Sequence, residues 1–167
     1  MMDLLLPTPI KPRDAHRWIV GPALMLLPQK MDSIRARVMI VAIFGQESNL
    51  EFRRQHGNGP ARGLGQFERR GGVRGVMGHA STQQAAKELC RVRRVDWDEM
   101  SVWQRLEFDD ILCAGFSRLL LWADPRPLPL IGDADGAWDC YLRNWRPGRP
   151  HPQAWARHYA AAIEAVK

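Results

Sequence analysis

Cysteine is scarce in this chain and poorly spaced for chemistry. Cys90, Cys113 and Cys140 lie 23 and 27 residues apart, with no CxxC and no neighbouring His pair. That excludes a disulfide framework and a zinc signature, and it leaves buried thiols. Long apolar runs are missing as well. The run WIVGPALMLLP covers eleven residues and contains Gly21 and Pro22, too short and too broken to cross a bilayer. The N-terminal MMDLLLPTPIKPRD has an acid at position 3 and a Leu run stopped by Pro7. It is not the positive start and long apolar stretch of a secretory signal. Repeats, low-complexity tracts and sustained β-alternation are also absent, so the expected class is mostly α.

What is present fits one domain, since 167 residues bury a real core but not two of them. A hydrophobic content of 46% with 25% charged residues and seven Trp excludes disorder. The formal charge of +6 and pI near 9.8 predict attraction to a polyanion: nucleic acid, anionic lipid or an acidic cell-wall polymer. Residues 1–30 hold five of the twelve prolines and read as an irregular leader packed on the domain, with a short helix over 14–27 broken at Pro22. Residues 31–167 read as the domain itself. From Asp32, an expected N-cap, Ile34, Val38, Val41, Ala42 and Gly45 recur at helical spacing. The second half of that helix, VMIVAIFG, is apolar on every face and so enters the core. Residues 55–78 carry most of the glycines and read as a loop or small hairpin. Capping boxes at Ser81-x-x-Gln84 and Ser101-x-x-Gln104 predict helices running to about Val92 and Trp122. After a Pro and Gly linker, two last helices are expected over 136–145 and 152–166.

The predicted helix from Asp32 ends at a lone acid, Glu47. A carboxyl at the inner end of a buried helix has its pKa raised, which suits a general acid working near neutrality. The plain alternative is a helix-end charge that points to solvent. In PARGLGQF, Gly63 and Gly65 let backbone approach a ligand closely, and Gln66 offers an amide donor and acceptor. Those groups suit an N-acetylated sugar.

Together, ESNL and GPARGLGQF resemble the Glu-Ser helix end and Gly-Ala-x-Gly-Leu-Met-Gln turn of the soluble lytic transglycosylases, in the goose-type branch of the lysozyme-like superfamily. Ser48 matches the Ser after the catalytic Glu, Ala61 the Ala, Gly63 and Leu64 the Gly-Leu, and Gln66 the sugar-contacting Gln. Pro60 and Gly65 depart from the pattern, standing where Gly and Met are usual, and the match is strong over residues 30–70. The family's Ala-Tyr-Asn-Ala-Gly segment, which brings a Tyr over the catalytic Glu, has no clear copy. GAWDCYLRNWRPGRPHPQAWARHYAAA instead looks like the C-terminal part of phage-encoded lysozyme-like enzymes. There Trp138 and Tyr141 either face the cleft or are plain core, while the other tryptophans read as core.

The resemblance implies a lysozyme-like helical domain with a Gly-rich loop or small hairpin beside the catalytic helix. It implies cleavage of peptidoglycan glycan strands with Glu47 as catalytic acid, and substrate contacts from Ser48, Gly63, Leu64, Gln66, Phe67, Trp138 and Tyr141. No metal or cofactor is implied, and a monomer is expected. A hydrolase normally needs a second carboxylate. Between Ser48 and Gln66 the only acid is Glu51, while Glu68 follows the turn and is the possible second carboxylate. The missing acid favours a lytic transglycosylase that leaves 1,6-anhydro-MurNAc ends; the alternatives are a hydrolytic muramidase and an inactive wall-binding or virion structural protein. Arg53, Arg54, Arg62, Arg69, Arg70 and Arg74 are expected around the cleft, holding an anionic glycan. A nucleic-acid partner predicts basic residues along one helix, and the 101–122 stretch carries Glu107, Asp109 and Asp110 instead. Without a recognisable export signal, the expectation is a phage or prophage lysin, made in the bacterial cytoplasm. It would reach the wall after holin release or on a phage particle, with no insertion into the membrane.

Overall fold

A computed structural model describes residues 5–167. The start of the expected leader, residues 1–4, lies outside the described residues. Among the described residues the chain is mostly helical, and β-pairing is confined to isolated bridges joining Arg54 to Arg62 and Arg62 to Phe67. No described helix is long and apolar enough to cross a membrane.

The element that organises the rest is α3, Ile34–Ser48. Ser33 rather than Asp32 caps it, accepting the Ala36 N–H at 3.1 Å, while Asp32 pairs with Arg37 at 2.7 Å. Every residue from Val38 to Gly45 is buried, as the all-round apolar pattern predicts. α9 (Pro152–Val166) packs most extensively along it. Gly45 permits that approach, because a Cβ there would fall 2.6 Å from His158 Nδ1.

The short helix expected in the leader is present over residues 12–25, and it is not broken at Pro22. α1 (Pro12–Ala15) runs through a π-helical turn, His16–Val20, into α2 (Gly21–Met25). Proline lacks an N–H and its ring crowds the carbonyl four residues back. The widened turn, in which Gly21 N–H reaches His16 O, accommodates Pro22 without a break. Ala15, Ile19, Val20, Ala23 and Leu24 of this run belong to the core. The expected loop over 55–78 carries helical turns in its second half, a π turn Arg69–Val73 kinked at Gly71 that leads into α4 (Arg74–Gly78).

The expected helix over 101–122 is two helices, α6 (Glu99–Arg105) and α7 (Asp110–Ala123). Asp98 caps the first and Asp109 the second, accepting the Ser101 and Leu112 N–H groups at 2.9 Å each. Ion pairs hold the corner between the two helices. Arg54 and Arg62 meet Glu107, Arg93 meets Asp109, and Arg53 meets Asp110. A continuous helix turns each residue by about 100° and would point Glu107 and Asp109 to opposed sides. α5 (Gln83–Val92) begins after Thr82 rather than Ser81, and the Thr82 hydroxyl donates to Val76 O at 2.6 Å instead of capping. α8 (Ala134–Trp145) starts from an Asp133 cap, and α9 has its expected bounds. The three cysteines are free and buried, and burial pushes the Cys90 and Cys113 thiols up to about 12.

The Arg53–Asp110 pair, 2.7 Å long and mostly buried, ties the loop after α3 to the start of α7. Asp110→Ala leaves the guanidinium without its counter-charge and is expected to destabilise the fold by about 3 kcal/mol. Urea denaturation checks this, and the double replacement Arg53→Met, Asp110→Leu should lose clearly less.

Candidate active site

Glu47 occupies the last turn of α3, where the buried half of that helix emerges. Asn49, in the left-handed region at φ 53°, closes the helix by giving its N–H to Gly45 O at 2.9 Å. Glu47 is half-buried, and its Oε1 accepts a hydrogen bond from the Tyr141 hydroxyl at 2.6 Å. Burial raises the carboxyl to about 7, while the hydrogen bond pulls the other way by favouring the carboxylate. Burial, and then the charge of Glu47, push the Tyr141 phenol upward. The phenol therefore stays protonated and serves as the donor.

Tyr141 is held by rings from two helices. Trp138, Tyr141 and Trp145 recur along one side of α8 at helical spacing. Trp155 of α9 stacks on Tyr141 with centroids 5.3 Å apart, and Tyr159 stacks on Trp155 at 5.9 Å. Trp138 leans on Tyr141 at 5.2 Å and stays half-buried at the edge of the stack. The two readings of Tyr141 merge: its ring is core and its hydroxyl is at the carboxyl.

The Gly-rich turn is built to one shape. Arg62 and Phe67 exchange N–H···O bonds of 2.9 and 2.8 Å, closing Gly63–Gln66 between them. Gly63 has φ +75°, and a Cβ there would come within 2.7 Å of Cys113 Sγ and Leu106 O. Gly65 donates its N–H to Cys113 Sγ at 3.3 Å and receives the Trp145 indole N–H on its carbonyl at 2.8 Å. The turn is thereby fastened to α7 on one side and to the helix carrying Tyr141 on the other. Gln66, half-buried at φ 51°, gives one amide N–H to Gly63 O at 2.9 Å and keeps its carbonyl oxygen as an acceptor.

Several expected contacts fall elsewhere. Ser48 is buried and donates its hydroxyl to Phe44 O at 2.9 Å, turned into its own helix. Leu64 and Phe67 are buried behind the turn, Phe67 edge-on to Trp145 at 5.9 Å and to Phe116 at 6.4 Å. These three frame the site instead of lining it. Glu68 is exposed, and no hydrogen bond joins it to Glu47, whose bonded side chain is Tyr141.

The arginines are also redistributed. Arg53, Arg54, Arg62 and Arg74 are held by Asp110, Glu107 and Glu99, and Arg62 additionally covers the Trp103 ring at 4.5 Å. Their charge is largely answered within the fold. Trp145, expected as plain core, is the residue that sequence reasoning missed. Its signal was the spacing of three and four that it shares with Trp138 and Tyr141 on α8. Among the described residues no group of three or more His, Cys, Asp or Glu is gathered as a metal site would require. Against protein-family models, curated proteins and solved structures, the chain finds no match.

A carboxyl raised from its ordinary 4.5 to about 7 ionises later in the folded chain than in the unfolded one. Its contribution to stability therefore falls as pH climbs between those values and is level above them. Glu47→Gln removes that loss. It is expected to stabilise the protein at pH 8 by up to about 3 kcal/mol, and to leave it unchanged below pH 4.5. Thermal melts of both proteins at the two pH values check it.

Proposed function

We propose that this chain is a peptidoglycan lytic transglycosylase, cleaving the β-1,4 bond between MurNAc and GlcNAc and leaving 1,6-anhydro-MurNAc ends. The observation that carries the reading is Glu47: a half-buried carboxyl, protonated up to about pH 7, bonded by Tyr141. The turn resembling that of the soluble lytic transglycosylases supports the same reading. So does its attachment, through Trp145, to the helix that bears Tyr141.

The chemistry follows from one carboxyl acting twice. Glu47 gives its proton to the glycosidic oxygen as the C1–O bond of MurNAc breaks, and GlcNAc leaves with a free 4-hydroxyl. The substrate's N-acetyl oxygen bonds to C1 and holds the positive charge there. Glu47, now a carboxylate steadied by the Tyr141 hydroxyl, takes the proton of the C6 hydroxyl. The C6 oxygen then closes on C1, releasing the N-acetyl oxygen and restoring protonated Glu47. No water enters, so no second carboxylate is required. Gln66 and the carbonyls of its turn are placed as acceptors for an N-acetylated sugar. A hydrolytic muramidase is the second reading, favoured by one observation: Glu68 is exposed directly after the turn and has no ion pair among the described residues. As a lysin of a phage or prophage, the enzyme would meet the wall after holin release or on a particle.

Mass analysis of purified peptidoglycan digested by wild-type protein and by Glu47→Gln checks the reading. Anhydro-muropeptides from the wild type alone are the expected outcome. Reducing muropeptides, one water heavier, would instead assign a muramidase, and a product-free digest would assign a binding or structural role. Tyr141→Phe removes a hydrogen bond that favours the Glu47 carboxylate, so the alkaline limb of the pH–rate profile should move to higher pH. The rate at the optimum should fall about tenfold, the worth of one hydrogen bond to a charged group.

A further inference from the structure

The opposite end of α3 borders a groove of about 930 Å³. Glu47 lies thirteen residues along the helix from Ile34, roughly 20 Å away. The groove is therefore separate from the candidate active site. Its walls are chiefly apolar, from Ile34 of α3, Leu121 and Trp122 of α7, and Leu128 and Ile131 of the loop that follows. Ile34 and Ile131 are 65% and 43% exposed, an unusual placement for aliphatic side chains facing one hollow. Pro125 and Pro127 have no N–H, and the Arg126 N–H is already given to Asp124 at 3.0 Å. This stretch of the loop thus offers a ligand few backbone donors.

Beneath these walls lies a cation that forms no salt bridge among the described residues and feels an opposite charge only at a distance, from Asp32. Arg118 is only 4% exposed. Its Nε donates to Met31 O at 2.5 Å, its guanidinium covers the Trp122 ring at 5.0 Å, and its Nη1 is buried with no hydrogen-bond partner among the described residues. The nearby acids are engaged elsewhere: Asp32 with Arg37, and Asp124 with Arg143 and Asn144. Burial lowers the guanidinium to about 10, so it is still charged at neutral pH. A buried charge in that state is expensive and gains from an anionic oxygen. Arg35 and Arg126 line the same groove, and the positive end of the α3 helix opens on it at Ser33.

Apolar walls ask for an apolar body, and the guanidinium asks for an anion. We propose that this groove binds an amphiphile, an acyl chain carrying one anionic carboxylate or phosphate head, with the head drawn to Arg118. A peptide would bring a row of backbone donors and acceptors that aliphatic and proline walls leave unanswered. An acyl chain brings none. The exposed Ile34 and Ile131 cover the chain, and Arg35 and Arg126 screen the head.

Calorimetric titration of the full chain with octanoate, octanol and inorganic phosphate tests this. Octanoate is expected to bind at least tenfold more tightly than either octanol or phosphate. Arg118→Met and Ile131→Asp should each weaken octanoate at least tenfold. Ile131 is exposed, so its replacement leaves the core intact and decides the matter if Arg118→Met fails to fold. Vesicles of phosphatidylglycerol and of phosphatidylcholine separate the sources. Binding to the anionic vesicles alone, lost in Ile131→Asp, assigns a lipid head, whereas binding of octanoate without vesicles assigns a free acid. Equal affinity for octanoate and octanol, an unaffected Ile131→Asp, or no binding to octanoate and anionic vesicles alike would overturn the proposal.

Discussion

The structure depends on one constraint: the stretch from Val38 to Gly45 has no face that water can share. An apolar helix of this kind cannot lie on a surface, so the remaining chain has to surround it. The run over 12–25 and α9 are both recruited to that task, and Gly45 lets α9 come close. Where the stretch ends, the first ionisable side chain is Glu47. Its environment follows from the same requirement, because the aromatic residues that finish covering α3 also take water away from the carboxyl. Desolvation there is a by-product of closing the core, and the raised pKa needs no charged neighbour to produce it.

Charge serves the scaffold more than the surface. The corner between α6 and α7 gathers acids that a single helix would splay apart, and arginines from the loop after α3 neutralise Glu107 and Asp110. The loop that carries the glycine turn is thus fixed at its root by ion pairs and at its tip by Cys113 and Trp145. Between these anchors Gly63 stands at a place where no side chain fits. A net charge of +6 says that the molecule is basic, but not which of its cations are free to meet a partner.

Local features were legible in the sequence and long-range ones were not. The path of α3, its end near Glu47, the bounds of α9 and the burial of the cysteines follow from periodicity and composition. The break between α6 and α7 does not, because Val102, Leu106, Ile111 and Leu112 keep a helical rhythm across it. The corner is held by arginines more than forty residues away in the chain, which no local pattern reveals. Pro22 was legible as an interruption but not as a π turn, since the outcome depends on how firmly the flanking residues are packed. Tyr141 and Glu47 are separated by 94 residues, and only the stacking of α8 on α9 brings phenol and carboxyl together. Ser48 shows the converse limit. Its place beside Glu47 suggested a ligand contact, yet its side chain leaves the helix on the inner side and bonds to Phe44 O.

The indole of Trp145 holds the carbonyl of Gly65, and one turn earlier the same helix carries the phenol that holds Glu47. The two ends of the site therefore share a single rigid lever. The turn and the carboxyl are thus joined through one helix, each by a single hydrogen bond. The shape of the turn and the environment of the carboxyl are mechanically linked. Strain placed on the glycine turn thus has a mechanical route to the carboxyl through Trp145 and Tyr141.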